Sequence, residues 1–318
     1  MPLSPPSASM GFIGYVRFQS PEFSANNNTI QVRATSADIR LSQEITKPDV
    51  IDGRFDRTVY QLGPKIVEGS VEFPSIMESI DSGTDPTSAL YKIAVKRNWP
   101  GDGKLAPMDI SVAYTSNNAA FVYKECIVNT FKWSVAQSDF VKVNVDLIGV
   151  ERETAQWTAI TESSAFFPNQ SRVVTWNDAV VELRSGSAFN ITGEFIRSFE
   201  ANINNNAERY YTLNGKLFPQ DVAPRKRDIT GSVSLMGRKP ELADHAFDNQ
   251  ERCAEVSTIK FGYNLTNAEC QGTFLVTLPN VVFQIEELSL TNDLFETTVN
   301  WHCLPNFIDL SGAAFLET

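Results

Sequence analysis

Hydrophobic and polar residues alternate with a period of two along much of this chain. Ile110, Val112 and Tyr114 share one side of their segment. Val141, Val143, Val145 and Leu147 share another, with Lys142, Asn144 and Asp146 opposite them. The same alternation places Ile259, Phe261, Tyr263 and Leu265 together, and Phe295, Thr297, Val299, Trp301 and Cys303 together. Successive strand side chains point to opposite faces, so these segments are predicted as strands with one face on a core. Turn-forming clusters at 24–28, 100–103, 116–118, 185–187 and 290–293 separate them. Two segments switch to helical spacing. In 85–99, Asp85 is placed to cap, Pro86 occupies the first helical position, and Ala89, Leu90, Ile93, Ala94 and Arg97 follow on one face. In 239–256 a proline again stands at the start, with Leu242, Ala243, Ala246 and Phe247 on one face.

The order of these elements repeats. A strand near 30–45, a turn-rich stretch to Lys65, a Gly69-Ser70-Val71 strand, a helix at 85–99, a strand at 109–114 and a hairpin at 126–149 make up the first half. The second has a strand near 194–204, a turn-rich stretch to Lys226, a Gly231-Ser232-Val233 strand, a helix near 240–252, a strand at 258–265 and a hairpin at 281–303. The Gly-Ser-Val openings are 162 positions apart (69 to 231). The closing hairpins align at about 154 to 155, so the second copy is shorter around its helix. A matched order at about half the chain length predicts duplication of one α+β unit. The expected division is an arm at 1–10, a first unit at 11–155, a linker at 156–172 pinned by Phe166 and Phe167, and a second unit at 173–318.

Composition narrows the function. Of 318 residues, 42% are hydrophobic, enough to bury a core. The net charge of −11 argues against gripping a phosphate backbone, which needs Lys and Arg, and does not exclude contact with DNA that slides past. Cys126, Cys253, Cys270 and Cys303 form no C-x-x-C pair and only His245 and His302 accompany them, so no metal site is expected. The Pro/Ser-rich start lacks the pattern of a signal peptide, and no apolar run approaches a membrane span, so a soluble chain in a cytoplasm is expected. No nucleophile elbow, phosphate loop or calcium loop occurs. Adjacent Glu286 and Glu287 point to opposite faces of a strand, and Glu151 and Glu153 fall at the linker, where solvation explains them. No catalytic residue and no cofactor is expected. The dense basic run at 223–228 reads either as a solvated turn or as a contact to an acidic neighbour.

The stretch 199–235, "FEANINNNAERYYTLNGKLFPQDVAPRKRDITGSVSL", resembles the tail tube proteins of tailed bacteriophages. A strand ending in N-x-N-N leads to a variable loop, then an aromatic, Gly and Pro, a basic turn and a Gly-Ser strand. A helix, a strand and a terminal hairpin follow, as at 240–303. The first half keeps this order, with "SQEITKP" at 42–48 in place of the Asn-rich motif. The resemblance implies a mainly β (α+β) fold of two tandem β-sandwich or barrel units, each with one flanking helix. It implies a structural virion protein, not an enzyme, whose rings stack around a channel for DNA. Contractile injection systems and type VI secretion tubes share the fold. Two units in one chain imply that three subunits make a pseudo-hexameric ring. The partners implied are further copies of the chain, other tail proteins at the tip, terminator or sheath, and DNA passing without specific binding, with no membrane. The location implied is the virion tail, assembled in the host cytoplasm.

Closed rotational assembly would pair exposed strand edges and leave polar faces wet in a channel. The residues expected to face that channel are Lys142, Asn144, Asp146, Glu296, Thr298 and Asn300, or else the Gly69-Ser70 and Gly231-Ser232 strands. Loops 46–65 and 205–227 and the arm at 1–10 are the expected ring-to-ring contacts, through Asp52, Arg54, Arg57, Arg209, Arg225, Lys226 and Arg227. Two other readings compete. The aromatic pairs Tyr210-Tyr211 and Phe166-Phe167 could supply stacking platforms for a binding module for host attachment or carbohydrate, although packing use explains them better. An enzyme with an unrecognised carboxylate site would show itself by losing activity on a single Asp or Glu substitution.

Overall fold

A computed structural model of the chain describes residues 15–23, 29–46, 61–77, 85–96, 103–114, 119–155, 172–185, 189–236, 257–267, 270–284, 296–304 and 316–317. The first half contains β1 (Tyr15–Gln19), β2 (Thr29–Val32), β3 (Ser36–Thr46), β4 (Gln61–Pro74), β5 (Ile76–Met77), α1 (Pro86–Val95), β6 (Met108–Tyr114), β7 (Ala119–Ala136), β8 (Lys142–Gly149) and β9 (Glu151–Ala155). The second contains β10 (Arg172–Val173), β11 (Ala179–Ser185), β12 (Phe189–Ile191), a 3-10 turn (Gly193–Phe195), β13 (Ile196–Asn204), β14 (Glu208–Tyr210), β15 (Asp221–Ala223), β16 (Asp228–Met236), β17 (Ser257–Asn267), β18 (Cys270–Gln284), β19 (Glu296–Cys303) and β20 (Leu316–Glu317). The fold is mainly β, as the alternation predicts. The second expected helix, 239–256, lies outside the described residues, as do Phe166 and Phe167.

Pairing is antiparallel and runs in the same order in both halves. In the first it reads β2-β1-β6-β7-β8-β4-β3; in the second, β12-β11-β17-β18-β19-β16-β13. The short strands β9 and β20 fold back onto β7 and β18. Registers correspond as well. Gly69 lies between Ile39 and Leu147, and Gly231 between Ala201 and Trp301. The β6–β7 ladder slips between Met108↔Cys126 and Ile110↔Tyr123, and the β17–β18 ladder slips between Ser257↔Val281 and Ile259↔Leu278. A bulge puts one extra residue into a strand. Here the residues at positive φ are Glu125 (φ 50) and Asn280 (φ 60), one in each ladder. The halves are joined where β7 pairs with β13.

α1 begins as expected and stops earlier. The Asp85 carboxylate accepts hydrogen bonds from the Thr87 and Ser88 amides at 3.0 and 3.2 Å, and Pro86 opens the first turn. The helix ends at Val95, short of 99. Helical spacing predicts one buried face, yet Tyr91 on another face is buried too. Its ring packs edge-on against Phe131 of β7 and Phe274 of β18. The aromatic chain continues through Phe261, Trp133, Phe199 and Trp301. One core therefore serves both halves. Burying each such ring contributes about 2–3 kcal/mol, and each ring pair about 1 kcal/mol more.

Candidate functional site: a polar sheet face and its ends

Eight strands lie side by side across both halves, in the order β3-β4-β8-β7-β13-β16-β19-β18. One face of this run is core. Ile39, Val67, Val71, Phe73, Val143, Val145, Phe131, Trp133, Phe199, Ala201, Val233, Val299 and Trp301 all turn that way and are buried. The period of two sends their neighbours to the other face. There the registers align polar side chains in rows straight across the strands. One row reads Lys142, Ser134, Glu200, Ser232, Asn300 and Gln284. The next reads Glu72, Asn144, Lys132, Asn202, Thr230 and His302.

Most of this face is half-buried by its own neighbours and carries charges of both signs. Lys132 Nζ meets Glu200 Oε1 at 2.9 Å across the β7–β13 junction. Lys142 meets Asp139 at 2.7 Å, which lowers the carboxyl of Asp139 and raises the ammonium of Lys142. Burial pushes the Asp146 carboxyl up, against a hydrogen bond from Thr130 and the charge of Lys132. The carboxylates Asp38, Glu68, Glu72, Asp146 and Glu200 outnumber the cations Arg40, Lys132 and Lys142. Such a surface, dominated by Ser, Thr and Asn, does not neutralise a run of phosphates.

The expected channel residues Lys142, Asn144, Asp146, Thr298 and Asn300 all sit on this face. Glu296 lies in β19 opposite Met236. Gly69-Ser70 and Gly231-Ser232 are not strand openings: each pair lies inside its strand, beside these residues. A Cβ on Gly69 would stand 2.0 Å from the Asp38 carbonyl oxygen, and one on Gly231 2.0 Å from the Glu200 oxygen and 2.3 Å from the Trp301 indole. The glycines are where a neighbouring strand approaches too closely for any side chain.

The long loop after β13 is largely engaged within the chain. β14 and β15 form a small hairpin that the sequence did not reveal. Arg209, with 19% of its side chain exposed, holds Glu68 Oε2 at 2.8 Å. Lys65 N donates to the Leu217 carbonyl at 2.8 Å, and Tyr211 Oη donates to the Lys65 carbonyl at 3.2 Å. The loop base thus lies over β4 of the first half. Arg227 is turned inward and buried. Its guanidinium donates to the Val95 carbonyl at 2.6 Å and to Asn205 Oδ1 at 3.0 Å, while Asn205 Nδ2 donates to the Ala94 carbonyl at 2.9 Å. Together they cap the C-terminal end of α1, so Arg227 is not offered to a neighbour. Arg225, paired with Glu208, and Lys226 remain exposed. Tyr210 at the end of β14 and Tyr211, Leu213 and Leu217 on the loop between β14 and β15 are exposed. Asp52, Arg54 and Arg57 lie outside the described residues.

Two further features escape the sequence. The carboxylate of Asp85 also accepts from Tyr263 Oη at 2.5 Å, and Ser75 Oγ lies 3.0 Å from that hydroxyl and 2.8 Å from Thr87 Oγ1. This buried cluster ties α1 to β17 across 178 positions. Glu151 and Glu153 lie on β9 rather than in a linker, and Glu153 faces Lys124 at 3.8 Å. Just past the expected linker, the amide and carbonyl of Val174 bond to Ser75 and Val141. Among the described residues no cluster of His, Cys, Asp and Glu could hold a metal ion, and no helix is long and apolar enough to cross a membrane.

A family model described as phage tail tube protein matches residues 20–269 of the chain. No curated protein matches it.

Proposed function

The chain belongs to the phage tail tube protein family, a structural component of virion tails, and from that premise we propose that three copies close each ring of a tube whose lumen carries DNA. The observation that carries this reading is the polar eight-strand face. It spans both halves without interruption, and the β14–β15 loop reaches it at Glu68 of β4. Three such runs joined edge to edge, at about 4.8 Å per strand, give a wall with a circumference of roughly 115 Å and a diameter of about 37 Å before strand tilt widens it. Lys142, Asn144, Asp146, Thr298 and Asn300 then line the channel, with Glu296 continuing their row along β19. A lumen rich in Ser, Thr and Asn, with more carboxylates than cations, lets phosphates pass without condensing on it.

The identical strand order and bulge placement in the two halves support reading them as one unit duplicated, at 11–155 and 173–318, which makes the ring pseudo-hexameric. Rings stack through the exposed aromatic and apolar loop at Tyr210–Leu217 with Arg225 and Lys226, joined by Asp52, Arg54 and Arg57 of the corresponding first-half loop. An exposed apolar cluster on a surface loop is a contact site awaiting its partner. Other tail proteins at the tip and terminator, with a sheath where the tail contracts, complete the set of partners, and assembly proceeds in the host cytoplasm. Negative-stain electron microscopy with mass photometry over a concentration series tests the proposal. Hollow tubes or trimeric rings are expected. A monomer at every concentration, which also fails to polymerise on a tail-tip complex, contradicts it.

A further inference from the structure

The loop between β13 and β16 leaves and re-enters the sheet at two side chains that point into the molecule. Asn205 follows directly on β13 and is fully buried; Arg227, just ahead of β16, is 8% exposed. They stand 22 positions apart in sequence, and Arg227 Nε donates to Asn205 Oδ1 at 3.0 Å. Both then reach the same target in the other half. Asn205 Nδ2 donates to the Ala94 carbonyl at 2.9 Å and to the Val128 carbonyl at 3.0 Å. The Arg227 guanidinium donates to the Val95 carbonyl at 2.6 Å. The last carbonyls of a helix lack intrahelical partners and carry the negative end of its dipole, so an amide and a guanidinium suit them. Asn206, at φ 47, ties the two legs to each other, its Nδ2 donating to the Lys226 carbonyl at 2.8 Å and to Asp228 at 2.7 Å. α1 itself is seated in the shared core through Tyr91.

The first half shows that the strand ladder does not require this arrangement. An offset of 162 carries the pair Glu208↔Ala223 onto Thr46↔Gln61, so Asn205 corresponds to Gln43 and Arg227 to Lys65. Gln43 donates to the Gly63 carbonyl of its own hairpin at 3.2 Å, and the Lys65 ammonium lies over the Phe218 ring at 4.7 Å. Both are only half-buried. We propose that Asn205 and Arg227 are positioning residues for assembly. They clamp both legs of the 206–226 loop to the C-terminal end of α1, so the free subunit carries its stacking loop preformed on the opposite half. Beyond the clamp the loop meets that half through a small apolar contact of Val222 with Leu105 and Ile127, backbone bonds at Lys65, and the ion pairs of Arg209 with Glu68 and Asp221 with Lys104. Ion pairs within reach of solvent contribute little, so the buried clamp carries the positioning. A loop already fixed in its bound shape loses less entropy on contact and stacks more tightly than one that must order.

This inference rests on the stacking contact proposed above, and its test separates the two. Full-length Asn205→Asp, Arg227→Lys and the double variant are compared with the wild type. Asn205→Asp keeps the acceptor for Arg227 and removes the two amide donors; Arg227→Lys keeps the charge and loses the fork. Hydrogen exchange on the free subunits is read at residues 208–210 and 220–223, with β8 as the internal reference. The expected result is loop amides that speed up about tenfold more than those of β8 in each single variant, with little further change in the double, because the two residues act as one clamp. Equal acceleration in the loop and β8 is what lost stability alone gives, and it overturns the proposal, as does an unchanged loop. The wild type supplies a check free of folding defects: loop amides exchanging at the unprotected rate in its free subunit overturn the proposal too. Growth of tubes on wild-type seeds then reads the assembly role. The variants are expected to need about tenfold more subunit for the same growth. Loosened loops with unchanged growth overturn that role. Wild-type subunits that form neither rings nor tubes overturn the ring reading, while the exchange result still decides the clamp.

Discussion

Asp85 sets up a stability change with pH that the fold makes specific. It is partly buried at the start of α1, where it receives the Thr87 and Ser88 amides and the Tyr263 hydroxyl. Burial outweighs these bonds and pushes its pKa up to about 6 from 3.8. Between about pH 4 and 6 the folded chain therefore holds a proton that the unfolded chain has released. The stabilisation from this group is fully present below about pH 4 and is lost as the pH rises through 6. A shift of about two units corresponds to about 3 kcal/mol. Asp85→Asn keeps a side-chain oxygen for the helix amides but cannot ionise. Urea denaturation followed by tryptophan fluorescence, on both proteins at matched pH, gives the difference in stability. The comparison cancels other carboxylates such as Asp139, whose lowered pKa acts in the opposite direction. Relative to the wild type, the Asn variant is expected to gain about 3 kcal/mol between pH 4 and 7.5. A difference that stays constant, or that shrinks with rising pH, refutes the assignment of Asp85 as a partly buried ionisable cap.

Four other substitutions probe the same structure. Gly69→Ala and Gly231→Ala each place a methyl group 2.0 Å from a backbone oxygen of the next strand, so each should cost about 3 kcal/mol in thermal or urea unfolding; a neutral result would mean that the strands are not so close. Arg227→Met removes the donors to Val95 and Asn205 and should cost about 3 kcal/mol, with faster hydrogen exchange at the end of α1. If monomer stability is unchanged and only polymerisation suffers, Arg227 is an assembly contact after all. Tyr91→Phe removes a buried hydroxyl with no partner among the described residues, so stability should rise by about 1 kcal/mol; a clear loss would reveal a bond to that oxygen.

What the sequence made legible is what repeats locally. The β8 strand and the hairpin it forms with β7 follow directly from alternation at 141–147, and α1 follows from Asp85, Pro86 and the spacing behind them. The front of β7 was hidden for a physical reason. Buried positions run 120, 123, 126, 127, 128, 131, 133 and 135, and the alternation breaks after 120 and again around Glu125 and Asn129, where the pairing with β6 and then β8 slips. Bulges let one strand serve two ladders, and they erase the period that would announce it. The Gly-Ser pairs were visible as an echo but not as mid-strand crossings, because the approach of Asp38 and Glu200 depends on strands distant in sequence. Arg227 on α1 and Tyr263 on Asp85 join residues 132 and 178 positions apart, and no local spacing encodes such contacts. The polar face was half legible: alternation named Lys142, Asn144, Asp146, Thr298 and Asn300, while the alignment of those strands into one surface needed the registers.

The central claim is that one chain supplies two ring positions, so that three chains close a ring. Electron cryomicroscopy of the assembled tube measures this directly, through the number of subunits per ring and the strands that line the lumen. Three subunits per ring, with β3 to β18 forming a continuous wall and its polar face inward, is the predicted result. Six chains per ring, or a lumen lined by other strands, would contradict it.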